Sequence, residues 1–283
     1  MNDQQTQRTP RSLIVTFYGA YGRGGAGPAG GTDAPVPVAA LIRLLGVLGV
    51  DPPSVRSAVS RLKRRGLLVP ARTATGAAAY GLSGAARQLL EDGDRRIFGR
   101  PAARPADGWV LAVFSVPEEE RHKRHLLRSR LSRLGFGTAA PGVWIAPAHL
   151  YEETRHTLER LQLSPYVDLF TGAHAGFAPT ADAVARWWDL DALAARHRAF
   201  LDEQEPVLRQ WSRRRSVPPE AAFRDYLLAL DAWRQLPYAD PGLPSPLLPE
   251  DWPGGRAAEV FSRLHAALWT AGARYAHEVT TET

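Results

Sequence analysis

The side chains best suited to chemistry in this chain are cations and hydroxyls that recur within one short segment, residues 54–65. Guanidinium, ammonium and hydroxyl groups donate hydrogen bonds to base edges and to phosphate oxygens, a combination typical of DNA-binding surfaces. We expect base contacts from Arg56, Ser57, Ser60 and Arg61, and phosphate contacts from the cations that follow. The full set of candidate DNA-binding residues is Ser54, Arg56, Ser57, Ser60, Arg61, Lys63, Arg64, Arg65 and Arg72. The alternative interpretation is an ordinary solvated helix face.

These candidates lie on a predicted helix whose two faces are clearly separated. Apolar residues recur with the i, i+3, i+4, i+7 spacing of a buried face, at Val55, Ala58, Val59 and Leu62. The cations and serines fall on the opposite face. Asp51 is the expected N-cap, because the prolines after it are tolerated in a first turn, where no N–H needs an intrahelical partner. Gly66 is expected to end the helix.

The elements on either side of this helix predict how it is presented. A helix opened by Pro35–Pro37 precedes it and ends near Gly49, so the turn between the two helices is only a few residues long. Two extended runs follow, Leu67–Arg72 and Ala77–Leu82, joined by the turn residues Thr73–Gly76. Helix, short turn, basic helix and hairpin together predict a winged helix-turn-helix. In that architecture the second helix enters the major groove and the hairpin lies against the backbone or the adjacent minor groove.

The excess positive charge belongs to the N-terminal part of the chain. Residues 1–100 hold 14 Lys and Arg against 6 Asp and Glu, an excess of +8, whereas residues 101–283 carry 21 against 23, or −2. This distribution favours polyanion binding by an N-terminal module. The sequence has no cysteine and no apolar run of signal-peptide or membrane-spanning length, so we expect a soluble, cytoplasmic protein that makes no membrane contact.

Motifs of enzymatic chemistry are absent from the sequence. It has no P-loop, dinucleotide fingerprint, nucleophile elbow or zinc-protease motif. The glycines of Gly22–Gly31 lack the strand-to-helix context that a nucleotide-binding loop needs, so we interpret them as a flexible insert. We expect no enzyme activity, no cofactor and no bound metal.

The central part of the chain alternates strands and helices in the order β-α-β-α-β, with one more short strand expected at Gly137–Ala139. This is the layout of a ferredoxin-like α/β sandwich. Its predicted elements are strand Trp109–Val116, helix Glu118–Leu134, strand Val143–Ile145, helix Tyr151–Leu161 and strand Val167–Thr171. The expected boundary before this part is Pro101–Pro105.

From Asp182 onward the apolar spacing is helical, and tryptophans are frequent. Core or dimer-interface packing is commoner for such residues than an aromatic acyl pocket. The expected fold class is therefore α+β and multidomain. It comprises a winged helix-turn-helix over residues 1–100, a ferredoxin-like α/β sandwich over 101–180, and a helical C-terminal domain for dimerisation or effector binding over 181–283.

A second basic run, Arg121–Arg133, lies in the long central helix. One interpretation is a solvated helix, because Glu118–Glu120 precede the cations in the order that the helix dipole favours. The alternatives are a site for the phosphates of a nucleotide-bearing ligand and a second DNA contact. His122 and His125 are three residues apart, but no third ligand is spaced to complete a metal site. The candidate ligand-binding residues are Arg121, Lys123, Arg124, Arg128 and Trp144.

Four segments together resemble the PaaX-type regulators, repressors of phenylacetic acid catabolism, along most of the chain. They are residues 54–67 (SVRSAVSRLKRRGL), 140–147 (APGVWIAP), 188–190 (WDL) and 243–254 (LPSPLLPEDWPG). The resemblance implies a homodimer bound to a palindromic operator in double-stranded DNA. It also implies release by an acyl-coenzyme A effector, typically phenylacetyl-coenzyme A.

The resemblance further implies a central domain similar to the small nuclease fold of CRISPR adaptation, which carries a metal-binding aspartate at the end of its first strand. Here that strand ends in Phe114-Ser115-Val116-Pro117, without the acid that metal-dependent cleavage requires. A nuclease that uses the central domain is therefore an alternative function. A DNA-binding adaptor without a small-molecule sensor is another.

Overall fold

The computed structural model describes residues 8–23, 34–99 and 103–282. Within these ranges the chain combines many helices with two antiparallel sheets. The helices are α1 Pro10–Ala20, α2 Val38–Gly46, α3 Pro52–Arg64, α4 Gly84–Phe98, α5 Arg121–Arg133, α6 Tyr151–Arg160, α7 Thr180–Trp187, α8 Leu190–Ser212, α9 Pro219–Trp233, α10 Leu236–Ala239 and α11 Gly254–Thr281. The strands are β1 Val36–Pro37, β2 Leu68–Arg72, β3 Ala78–Leu82, β4 Trp109–Phe114, β5 Gly137–Ala140, β6 Val143–Pro147 and β7 Val167–Gly172.

Two predicted features fall partly outside the described residues. Most of the Gly-rich insert Gly22–Gly31 does so, from position 24 onward, and so do the first two positions of the expected boundary Pro101–Pro105.

The chain divides into two compact units. Unit 1 comprises Met1–Arg95, Phe200–Trp233 and Arg256–Thr283, and unit 2 comprises Arg96–Ala199 and Arg234–Gly255. The last third of the chain therefore contributes residues to both units, and helix α8 contains residues of each. The division into three domains at 100/101 and 180/181 follows chain order and stays a prediction.

One apolar core cluster of unit 1 joins the N-terminal helices to the C-terminal ones. The apolar run Leu13–Tyr18 forms the buried side of α1, which begins after the N-cap Thr9, whose hydroxyl accepts a hydrogen bond from the Ser12 N–H. The core residues contributed by the later helices are Phe223 and Leu227 of α9 and Ala276 and Val279 of α11. These residues pack in one cluster with α1, α2 and α3. The helix that carries the DNA-binding candidates therefore packs in the same apolar cluster as the C-terminal helices.

The sheet of unit 1 has the strand order β1-β3-β2, antiparallel throughout. Its hairpin turn lies at the predicted Thr73–Gly76. The expectation that Pro35–Pro37 opens a helix is wrong by three residues, because Val36 and Pro37 pair with Tyr80 and Ala79 of β3. Pro37 keeps an extended backbone (ψ 143°), so α2 begins only at Val38.

The sheet of unit 2 has the order β5-β6-β4-β7, also antiparallel throughout. Val110 and Ala112 of β4 face the core beneath α5 and α6, whereas Trp109 lies on the opposite face with Trp188 and Leu243. Several predicted bounds change. Strand β4 ends at Phe114 and not at Val116, β6 extends to Pro147, and Glu118–Glu120 form a 3-10 turn before α5.

Candidate nucleic-acid interface

Helix α3 begins and ends where the sequence signals place it. The Asp51 carboxyl group caps the N-terminus by accepting a hydrogen bond from the Ser54 N–H at 2.9 Å. Hydrogen bonding by the Ser54 side chain and then by its backbone lowers the pKa of Asp51. Gly66 follows the helix with a φ of +69°, the left-handed conformation that glycine adopts without strain. Ser54, a candidate DNA contact, therefore already serves the cap.

The outer face of α3 is a continuous surface of cations and hydroxyls. The buried face, formed by Val55, Ala58, Val59 and Leu62, holds the helix on the unit 1 core. The exposed side chains are Arg56, Ser57, Ser60, Arg61, Lys63, Arg64 and Arg65. Among residues 8–23, 34–99 and 103–282, none forms a salt bridge with these cations. The donors of this face are thus available to an outside partner.

The hairpin β2–β3 has a tip that is held by its own hydrogen bonds. The Thr73 hydroxyl accepts from the Ala77 N–H at 3.0 Å and lies 2.8 Å from the Thr75 hydroxyl. The exposed Arg72 donates from Nη1 to the Gly76 carbonyl at 2.8 Å. Its other guanidinium nitrogens have no partner among the described residues. A tip ordered in this way presents Arg72 at a fixed position beside the sheet.

Polar contacts that sequence reasoning missed hold this surface to the C-terminal helices of unit 1. The Asp231 carboxyl group on α9 is fully buried and accepts hydrogen bonds from the Ser12 hydroxyl at 2.6 Å and the Thr16 hydroxyl at 2.7 Å. The Tyr18 hydroxyl donates to the Tyr80 carbonyl at 2.7 Å, and burial raises its pKa. Ser12 and Thr16, four residues apart within an apolar run, are the only local sign of this contact.

The candidate ligand-binding residues of unit 2 differ in their contacts and exposure. Lys123 donates to Glu120 at 2.7 Å and to the Tyr166 hydroxyl at 2.5 Å, and these hydrogen bonds raise the pKa of Lys123. Arg124 donates to the Val116 carbonyl at 2.8 Å. Trp144 is 8% exposed and packs in the core under β4 and β6. The two that project into solvent are Arg121 and Arg128.

A buried pair in unit 2 also escaped sequence reasoning. His197 of α8 is 1% exposed, and its Nε2 lies 2.9 Å from Asp240 Oδ2. The other Asp240 oxygen accepts from the Gly242 N–H at 2.9 Å, and the ring of Trp252 packs edge-on against His197. These contacts fix the proline-rich segment onto α8, a structural role that neither residue's local sequence indicates.

Neither a metal site nor a membrane-spanning helix occurs in the described part of the chain. It contains no group of three or more His, Asp or Glu side chains that could hold a metal ion, at His122 and His125 or elsewhere. It contains no helix that is both long enough and apolar enough to cross a bilayer.

Comparison with known proteins finds matches to one family along most of the chain. Residues 9–86 match the family described as PaaX-like protein, residues 102–184 match the PaaX protein central Cas2-like domain, and residues 188–278 match the PaaX-like protein C-terminal domain. Among curated proteins, the Transcriptional repressor PaaX of Escherichia coli (strain K12) is 27% identical over 278 residues, which cover 94% of this chain and 83% of that protein.

A solved structure shares the fold. The uncharacterized protein Rv0674 from Mycobacterium tuberculosis superposes with a TM-score of 0.60 at 22% identity, over 95% of this chain and 99% of that one.

Proposed function

Because this chain belongs to the PaaX family of transcriptional regulators, we propose that it is a repressor that binds its operator through α3 and the β2–β3 hairpin. The observation that carries the proposal is the outer face of α3, where five cations and two serines are exposed and no carboxylate of the described chain neutralises them. Positive charge without internal partners binds phosphates by releasing counterions.

The order of elements supports a winged helix-turn-helix. Helix α2, a short turn and α3 are followed directly by the hairpin, and β1 extends the hairpin into a small sheet. In such a domain α3 is the helix that enters the major groove. Arg56 and Ser57, in its first half, are then assigned to base edges. Arg64, Arg65 and Arg72 are assigned to phosphates, which fix register without reading sequence.

The dimer and the effector are proposed from the family resemblance. A homodimer on a palindromic operator places two copies of α3 in successive grooves, about 34–36 Å apart per helical turn. An acyl-coenzyme A such as phenylacetyl-coenzyme A would favour a form in which the two α3 helices have a different spacing, and so weaken binding to the operator. Such a shift requires that the acyl-coenzyme A binds the two forms with different affinities. The shared core of α1, α3, α9 and α11 supports such coupling, because α9 and α11 pack against α1 and a shift of these C-terminal helices would displace it.

The proposal gives the central domain no catalytic role. Its sheet order, β5-β6-β4-β7, supports a ferredoxin-like arrangement, and the family description calls this domain Cas2-like. However, β4 ends at Phe114 and leads to Ser115 without an acid. Incubation with Mg²⁺ or Mn²⁺ and labelled DNA or RNA tests this point, and cleavage would reject it. The proposed site of action is the bacterial cytoplasm, where operators are found.

The test is a fluorescence-anisotropy titration with two duplexes, the intergenic DNA upstream of the protein's own gene and a scrambled control. Arg56→Ala is expected to reduce operator affinity about tenfold while leaving scrambled DNA almost unchanged, because a base contact is worth about 1–3 kcal/mol of discrimination. Arg64→Ala is expected to weaken both duplexes alike. Arg155→Ala is the control, because Glu152 and Glu159 already neutralise Arg155.

Equal effects of Arg56→Ala and Arg64→Ala on both duplexes would reject the assignment of α3. The effector is tested by adding phenylacetyl-coenzyme A to the operator complex. Loss of anisotropy that the free acid does not cause supports the effector. Operator preference that persists, with a thermal midpoint unmoved by acyl-coenzyme A compounds, would indicate an adaptor without a sensor.

A further inference from the structure

Helix α5 in unit 2 carries a second basic surface. Its sequence, RHKRHLLRSRLSR, contains no carboxylate. Leu127 and Leu131 are buried and define the inner side of the helix. The outward side chains at i, i+4, i+7 and i+11 are Arg121, His125, Arg128 and Ser132, and all four are exposed. We call these four residues the α5 stripe.

The acids that precede α5 do not neutralise the stripe. Glu120 accepts hydrogen bonds from Lys123 and Tyr166, and Glu118 pairs with Arg124 at 3.1 Å. Lys123 is directed to the Tyr166 hydroxyl, and Arg124, which neighbours Arg121 and Arg128 on the helix, is directed to the Val116 carbonyl. Across residues 8–23, 34–99 and 103–282, no carboxylate pairs with Arg121 or Arg128.

Some exposed arginines of unit 2 have carboxylate partners. Arg155 on α6 lies between Glu152 at 3.0 Å and Glu159 at 2.8 Å, and Arg104 pairs with Asp107 at 2.9 Å. These spacings of three and four residues are the usual way in which a surface balances its charges. The α5 stripe lacks that balance, and Arg121 lies in the first turn, where the helix dipole disfavours a cation. An arrangement that is unfavourable in the isolated protein indicates an anionic partner.

We propose that the α5 stripe binds the phosphate backbone of duplex DNA, as a contact surface in addition to α3. The stripe runs for twelve residues along one helix, about 16 Å, and all four of its side chains are exposed. Arg121 and Arg128 are seven residues apart, about 10 Å along the helix axis, which suits a polyanion that repeats its charges along an axis. A free nucleotide is instead held in a concave site that buries most of its surface. The inference rests on the proposed function only in taking duplex DNA as the partner.

The test is the salt dependence of binding to a 30-base-pair duplex of scrambled sequence, between 50 and 200 mM salt. The variant is Arg121→Gln/Arg128→Gln. Its matched control is Arg104→Gln/Arg155→Gln, which removes the same charge from the same unit at arginines that already have carboxylate partners. Each phosphate contact contributes about 0.9 to the slope of log K against log salt, so the stripe variant should have a slope about 1.8 shallower than the wild type. The salt-induced loss of affinity then shrinks about twelvefold over this range, while the control retains the wild-type slope.

Arg64→Gln separates this inference from the function assigned to α3. If Arg64→Gln makes the slope shallower and the stripe variant matches its control, the inference is rejected and the role of α3 stands. If only the stripe variant has a shallower slope, the stripe stands and the assignment of α3 fails. Two results together would reject DNA and assign the stripe to a nucleotide. The first is a wild-type slope in the stripe variant. The second is a thermal midpoint that coenzyme A raises in the wild type but not in the stripe variant. Circular dichroism of each variant confirms folding, since the substituted side chains are exposed.

Discussion

The hydrogen bonds between α1 and Asp231 give a sharp test of how the DNA-binding candidates are held. We consider Thr16→Val, which replaces one β-branched side chain by another of nearly the same shape and removes only the hydroxyl. Thr16 is 2% exposed, and its hydroxyl donates to Asp231 Oδ1 at 2.7 Å. A valine methyl group cannot donate a hydrogen bond, so the buried carboxyl group of Asp231 loses one donor. At this depth water cannot take the place of the lost hydroxyl.

The expected cost follows from that geometry. A hydrogen bond to a charged group is worth about 1.5–3 kcal/mol, and the Ser12 hydroxyl, at 2.6 Å, still donates to the same oxygen. We therefore expect a loss of about 2 kcal/mol in the free energy of unfolding. For a unit of this size the thermal midpoint should fall by about 4–8 °C. Urea unfolding followed by circular dichroism measures the first quantity, and a thermal scan the second.

Thr280→Val is the matched control in the same unit. The Thr280 hydroxyl bonds only to carbonyls of its own helix, Ala276 at 2.9 Å and His277 at 3.0 Å, so its loss should change stability by less than about 0.5 kcal/mol. Because Ser12 and Thr16 donate to one oxygen, Ser12→Ala and Thr16→Val should also be non-additive when combined. If Thr16→Val costs no more than Thr280→Val, the view that Asp231 fastens α1 to α9 is refuted.

Substitutions at two positions, Asp51 and Gly66, test the ends of α3. Asp51→Ala should lower the thermal midpoint, whereas Asp51→Ser should retain most of the cap. The pKa of Asp51 is lowered in the folded protein. The stability that its charged carboxyl group contributes is therefore complete above the ordinary carboxyl pKa and is lost as the pH falls through the lowered pKa. The difference in stability between the wild type and Asp51→Ala should narrow from pH 7 to pH 3. Gly66→Ala should destabilise by about 1–2 kcal/mol because of its φ of +69°, although no atom lies within 4 Å of the added methyl group. Gly46→Ala, in equally open space but at the end of α2, should instead stabilise by about 0.5–1 kcal/mol in the same urea titration.

The features that the sequence predicted well are those whose causes are local. Asp51, the two prolines after it and Gly66 mark the ends of α3 independently of the rest of the chain, and the turn residues Thr73–Gly76 likewise fix the hairpin. Strand β1 was missed because two residues carry no periodicity and pair only with β3, some forty positions later. The packing of the C-terminal helices against α1 was missed for a similar reason: Phe223 and Val279 lie in one cluster with α1 residues that are far away in the sequence.

Whether a cation is available to bind a ligand is likewise a property of tertiary structure. Arg121, Lys123, Arg124 and Arg128 are indistinguishable as candidates in the sequence, because all lie in one basic run on one helix. The fold separates them: Tyr166, brought in from the segment before β7, completes a site for Lys123, and the Val116 carbonyl receives Arg124. Arg121 and Arg128 contact neither of these partners and are exposed. The salt slope of the stripe variant therefore tests two statements together, that these arginines are unpaired in the free protein and that phosphate is what pairs with them.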